Sequence, residues 1–77
     1  NPFNPVTTIK YQLPIAGFVT IKIYDMLGKE VVTLVNQDKQ AGYYEVNFNA
    51  GKLSSGIYFY KMVSGDFVSI KKLVILK

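Results

Sequence analysis

Apolar and polar residues alternate along most of the chain. Ile9, Tyr11 and Leu13 share one parity, and Thr8, Lys10 and Gln12 share the other. Successive side chains of a strand point to opposite faces, so a period of two predicts a half-buried strand. Pro14 ends it, because proline donates no ladder hydrogen bond. After a turn at Ala16-Gly17, Val19, Ile21 and Ile23 form the inward face of a second strand, with Thr20 and Lys22 outward. Asp25-Met26-Leu27-Gly28 predicts a tight hairpin turn. Aspartate can accept hydrogen bonds from backbone two residues on, and glycine reaches the left-handed region. A third strand is expected over Glu30 to Val35 with Val32 and Leu34 inward, although Val31 and Val35 make its other face apolar too. Asn36 to Gly42 is polar and reads as a loop.

The fourth strand sets Tyr44, Val46 and Phe48 against Tyr43, Glu45 and Asn47. Asn49 to Gly56 is a connection whose one large apolar residue, Leu53, is expected to plug an open end of the core. The fifth strand, Ile57 to Val63, sets Tyr58, Tyr60 and Met62 against Ile57, Phe59 and Lys61. Ser64-Gly65-Asp66 turns the chain into a last strand from Phe67 to Leu76. The alternation there slips near Lys71-Lys72, where a β-bulge is expected to restore the register of Leu73 and Ile75. The turn-forming residues are Asp25, Gly28, Gly42, Gly56 and Gly65. Short strands joined by short turns predict a small antiparallel sandwich.

Composition agrees. Val, Ile and Thr supply 20 of the 77 residues, and Tyr and Phe another 11. Such β-branched and aromatic content argues against helices, whose geometry restricts those side chains. It also argues against disorder, given a net charge of only +4. One small domain, residues 1–77, accounts for the length. Residues 1–6 read as a linker or a first edge strand, with Phe3 packed at the rim. The opening Asn1-Pro2-Phe3-Asn4-Pro5 has no initiating Met and no visible signal peptide, as expected of a piece of a longer chain. No apolar run is long enough for a membrane helix.

Charge and chemistry narrow the function. All nine basic residues are lysines, scattered except for the Lys71-Lys72 pair. Without arginine forks to read phosphates and base edges, no nucleic-acid partner is expected. The chain has neither Cys nor His, which removes the usual nucleophile, general base and transition-metal ligands. Asp25, Asp38 and Asp66 fall in turns, and Glu30 and Glu45 in or beside strands. They form no paired-carboxylate pattern. For Ser54-Ser55-Gly56 the sequence offers no His or visible buried carboxylate to activate a hydroxyl. Asn36 with Asp38, or Asn47 with Asn49, supply too few acids for a calcium loop. We therefore expect a non-catalytic module without a cofactor. Tyr24, Tyr43, Tyr58 and Tyr60 offer the main rival, a sugar-stacking platform. Against it, strand tyrosines at period two more often pack in a core.

The order of motifs then carries a resemblance. Asn1-Pro2-Phe3-Asn4-Pro5, Thr7 to Pro14, Val19 to Val31, Ala41-Gly42-Tyr43-Tyr44, Leu53 to Tyr60, Gly65 to Val68 and Lys71 to Lys77 follow one another in spacing. This series resembles the type A C-terminal sorting domains of the type IX (Por) secretion system. Those domains are similar in turn to the immunoglobulin-like domain of the flagellar hook-capping protein. Val6 departs from the Ser or Thr common in that family. The resemblance implies an all-β, immunoglobulin-like antiparallel sandwich of about seven strands at the end of a larger secreted protein. It implies passage through the periplasm and across the outer membrane of a Gram-negative-type bacterium to the surface or medium. It further implies cleavage during or after export and, often, attachment of the cargo to lipopolysaccharide. The implied partners are the type IX export machinery, its processing peptidase in the outer membrane, and the upstream cargo domain.

Within that reading, the candidate recognition element is the last strand: Lys71, Lys72, Leu73, Val74, Ile75, Leu76 and Lys77. An apolar strand could equally just complete the sandwich, and the resemblance implies both roles. The alternative function is an accessory carbohydrate- or surface-binding sandwich of an extracellular enzyme.

Overall fold

A computed structural model describes residues 6–76. It contains six strands: β1 (Val6–Leu13), β2 (Gly17–Tyr24), β3 (Glu30–Lys39), β4 (Gly42–Asn49), β5 (Gly56–Ser64) and β6 (Phe67–Ile75). Every pairing is antiparallel. β1 and β4 form a two-stranded sheet, which faces a four-stranded sheet of order β3-β2-β5-β6. The all-β sandwich expected from alternation is therefore present, with six strands among the described residues. Val6 opens β1, while the other candidate residues of a first edge strand, 1–5, lie outside the described residues, as does the expected packing of Phe3.

The core lies between the sheets in two clusters along the strands. One gathers Ile9, Ile23, Phe48, Ala50, Tyr58, Leu73 and Ile75. The other gathers Leu13, Val19, Ile21, Val35 and Met62. Leu34, Val46 and Tyr60 pack against both. Val19, Ile21 and Ile23 are wholly buried, as the alternation of β2 requires. Leu53 packs against the first cluster, and its amide donates to the Ala50 carbonyl at 3.0 Å. No charged or polar residue is buried among the described residues, so the interior is held by apolar burial rather than by paired ions.

β3 departs from the expected loop. It runs to Lys39, leaving only Gln40-Ala41 before β4. Asn36 to Lys39 pair with Thr20 back to Gly17, which would otherwise lack ladder partners on that side. Their polarity suits an edge strand that faces water. β3 also carries the irregularities of the fold. Ile21 faces Val35 but Lys22 faces Thr33, passing over Leu34. Ile23 faces Val32 but Tyr24 faces Glu30, passing over Val31. These two bulges shift the alternation of β3 and explain its apolar residues on both parities: Val31, Val32 and Leu34 all reach the core clusters, and Val35 is buried.

The bulge expected at Lys71-Lys72 is absent. β6 pairs with β5 in unbroken register from Gly56 opposite Ile75 to Ser64 opposite Phe67. Lys71 simply occupies the same parity as buried Leu73 and Ile75.

The turns follow from local chemistry. In the β2–β3 turn, one Asp25 carboxylate oxygen accepts from the amides of Leu27 and Lys29, both at 2.9 Å. The Gly28 amide donates to the Asp25 carbonyl at 3.0 Å. Gly28 has φ of 86° and Gly65, in the β5–β6 turn, 58°, where an L side chain costs roughly 1–2 kcal/mol. A second device repeats. Gln40-Ala41-Gly42-Tyr43-Tyr44 and Ser54-Ser55-Gly56-Ile57-Tyr58 each carry glycine two residues before tyrosine. In both, the tyrosine hydroxyl donates to the carbonyl four residues back: Tyr44 to Gln40 at 2.6 Å and Tyr58 to Ser54 at 2.8 Å. The two glycines share φ of 155° and 154°. Each tether fixes the entry of a strand, β4 or β5.

Candidate functional site: the terminal edge strand

Among the described residues β6 is an edge strand. One side pairs with β5, and among the described residues the other side has no ladder partner. The candidate recognition residues divide by parity. Leu73 and Ile75 are buried in the first core cluster. Val74 and Leu76 are 50% and 76% exposed, and Lys71 and Lys72 are exposed. Lys77 lies outside the described residues. The adjacent lysines face opposite ways: Lys71 shares the parity of the core residues, and Lys72 that of Val74.

On the outer face, Val74 stands opposite Ile57, Lys72 opposite Phe59, Ile70 opposite Lys61 and Val68 opposite Val63. Val68, Ile70 and Val74 remain half or more exposed. No acid lies between Phe67 and Leu76. Among the described residues the strand therefore offers unpaired backbone groups and an outward row, Val68, Ile70, Val74 and Leu76, interrupted by the cationic Lys72. Such an edge suits strand addition by a partner, while lysines on it disfavour pairing with its own kind.

The other candidates are dispersed. Asp25 caps its turn. Glu30 accepts from the Thr33 hydroxyl at 2.8 Å and pairs with Lys22 Nζ at 3.3 Å. Those contacts, the Thr33 hydrogen bond first and Lys22 second, hold its carboxyl below the ordinary glutamate range. Asp38 faces Phe18, Glu45 faces Lys10, and Asp66 lies in the β5–β6 turn. Among the described residues no three acids converge on a common point. Asn47 accepts from the Thr8 hydroxyl, and the Asn49 side-chain oxygen accepts from the Gly51 amide, both at 2.8 Å.

The tyrosines do not form an open row. Tyr58 is buried, Tyr24 and Tyr60 are half-buried, and Tyr43 alone of the four candidates is largely exposed, at 83%. Tyr11 and Tyr44, which the alternation marks only as core, stack at 5.4 Å between centroids, with Lys39 Nζ 4.6 Å above the Tyr44 ring. Burial, with a smaller contribution from Tyr44, pushes the Tyr11 hydroxyl above its ordinary pKa. The paired tyrosine tethers lie beyond what the alternation predicts, although the repeated Gly-x-Tyr spacing announces them.

No helix among the described residues is long and apolar enough to cross a membrane. Comparison with curated proteins and with solved structures returns no match. Comparison with protein families matches residues 1–76 to the family described as the secretion system C-terminal sorting domain. The match takes in all six strands, including the edge strand and both tyrosine tethers. The chain belongs to the C-terminal sorting-domain family of type IX secretion.

Proposed function

We propose that residues 1–77 act as one non-catalytic sorting domain that sends a larger protein across the outer membrane and is then cleaved from it. The family match over residues 1–76 carries this reading. A type IX sorting signal implies engagement with the export machinery and a secreted or cell-surface destination. The finer steps are our inference. The passenger crosses the periplasm, the machinery reads the domain, and a processing peptidase in the outer membrane separates it from its cargo.

The address in this reading is β6 together with Leu76 and Lys77. Leu73 and Ile75 anchor the strand in the core, which holds Lys72, Val74 and Leu76 in a fixed exposed array. Rigid presentation lowers the ordering cost that a flexible tail would incur on binding. The free edge then supplies ladder donors and acceptors to a receptor strand, and the lysines steer the encounter.

The test replaces exposed residues without touching the core. A fusion carrying Lys72→Glu, Val74→Thr and Leu76→Thr should keep its unfolding midpoint yet lose export in a type IX host. A fusion with Asp38→Asn and Gln40→Ser on the far edge should export normally. Normal export of the folded β6 variant would place the address elsewhere.

A further inference from the structure

Two strands do not cover four. At the end of the sandwich built on Leu13, Val19, Ile21, Val35 and Met62, no residue of β6 enters the buried cluster. There β6 directs Phe67, Ser69 and Lys71 along the parity of buried Leu73 and Ile75, yet Phe67 is 48% exposed and Lys71 is exposed. Over them lies a groove of about 300 Å³. Tyr11 and Gln12 of β1 line it opposite Phe67, Ser69 and Lys71 of β6, and Tyr60 and Met62 of β5 contribute between them. No residue of β4 lines it. It therefore opens on the side of β1 away from β4, which is the only strand β1 pairs with among the described residues.

We propose that this groove binds an extended peptide that adds to the edge of β1 left unpaired among the described residues, and that carries apolar residues and an acid on the one face turned into the groove. The backbone supplies the first argument. A strand beside β1 would lie about 4.8 Å away and would sit above the uncovered inner face of β5 and β6. Its ladder bonds would satisfy the free β1 edge, and every second side chain would point down onto Tyr60, Met62 and Phe67.

Charge supplies the second. Lys10 and Lys71 line the groove, and no carboxylate does. Neither bordering strand, Val6–Leu13 or Phe67–Ile75, contains an acid. A second copy docking through either of those edges would therefore add lysine to lysine, which disfavours it. The occupant is a separate strand that brings its own acid to Lys71. This site is distinct from the outer face and outer edge of β6 and does not depend on the sorting reading.

The test uses the isotopically labelled domain and two synthetic peptides. One is acetyl-Thr-Glu-Thr-Val-Thr-Val-Thr-Glu-amide, whose Glu and Val share one face, and the other has Lys in place of both Glu. The glutamate peptide should give saturable shifts at Tyr11, Gln12, Ser69 and Lys71 and slow hydrogen exchange along β1. It should bind about tenfold or more tightly than the lysine peptide. Lys71→Glu should erase or reverse that preference, and Lys71→Gln, the milder change, should flatten it. Four results would overturn the proposal: no saturable binding at millimolar peptide, equal affinity for both peptides, shifts confined to β3, β4 or the outer face of β6, or peptide binding unaltered in both folded Lys71 variants. Sedimentation of the free domain as a dimer with β1 amides protected would assign the groove to a second copy. Contacts from Phe3 into the groove would assign it to the domain's own first residues. Either also overturns the proposal.

Discussion

The Tyr58 hydroxyl donates a 2.8 Å hydrogen bond to the carbonyl oxygen of Ser54, four residues earlier in the chain. The connection between β4 and β5 is thereby tied to the strand it feeds. The ring of Tyr58 packs in the first core cluster, so one residue anchors both the core and the loop. Tyr44 repeats the bond to Gln40, but in an exposed setting. Removing a partner from a less solvated carbonyl costs more, because water replaces the lost bond less well. Tyr58→Phe should therefore lower unfolding free energy by about 1–2 kcal/mol, and Tyr44→Phe by about 0.5–1 kcal/mol. Urea unfolding of the two variants checks the order, and a larger loss at Tyr44 would contradict it.

The β2–β3 turn separates a backbone effect from a side-chain effect. A Cβ at Gly28 would meet nothing within 4 Å, yet φ there is 86°. Gly28→Ala should cost about 1–2 kcal/mol through backbone strain alone. Asp25→Ala should cost about 0.5–1.5 kcal/mol by removing the acceptor for two exposed amides. The double variant should lose less than the sum, because both changes loosen the same turn. Thermal unfolding of the three variants measures this directly.

Glu30 gives the domain an acid dependence with a definite sign. The hydroxyl of Thr33 and the ammonium of Lys22 favour its charged form, so its folded pKa lies below the ordinary value of 4.5. The stabilisation is complete above that ordinary value and is lost as pH falls through the folded one. Unfolding of the parent and of Glu30→Gln, followed from about pH 6 to about pH 3, should show a difference that shrinks toward acid. A difference independent of pH would exclude the charge as its source.

Tyr11 acts at the other extreme. Burial first, and Tyr44 second, raise its folded pKa above the ordinary value of 10.0. A raised value means stability that is present below the unfolded pKa and is lost as pH rises toward the folded one. Tyr11→Phe should lessen the alkaline loss of stability, while its Tyr44 stack, at 5.4 Å, survives as a ring contact. An unchanged alkaline limb would contradict the assignment.

How far the sequence foretold the fold depends on how each strand is covered. β1, β2, β4 and β5 alternate plainly because one face of each lies against the opposing sheet. β3 does not, for two reasons. Its bulges at Val31 and Leu34 shift the parity, and its far half, Asn36 to Lys39, is an exposed edge whose polarity mimics a loop. The apparent slip at Lys71-Lys72 has a different origin. The register holds throughout, but the inner face of β6 is uncovered beyond Leu73, so a lysine sits at an inward position without being buried. The lysine there marks a change in burial, not in register. For the site, motif order pointed to the last strand. Its division into anchors, Leu73 and Ile75, and a displayed surface, Lys72, Val74 and Leu76, needed the partner strand and opposing sheet. The groove beside β1 left no signal in β1 itself, because a free edge and a paired edge carry the same alternation.

Export dependent on the secretion system tests the central claim most directly. Residues 1–77 are fused to the end of a periplasm-targeted reporter and expressed in a bacterium with a working type IX system and in the same strain lacking it. A recognised sorting domain serves as the positive control. The account predicts reporter at the surface or in the medium of the competent strain, shortened by loss of the domain, and reporter retained in the periplasm of the deficient strain. Reporter retained in both strains while the control is exported, or released equally from both, would contradict it.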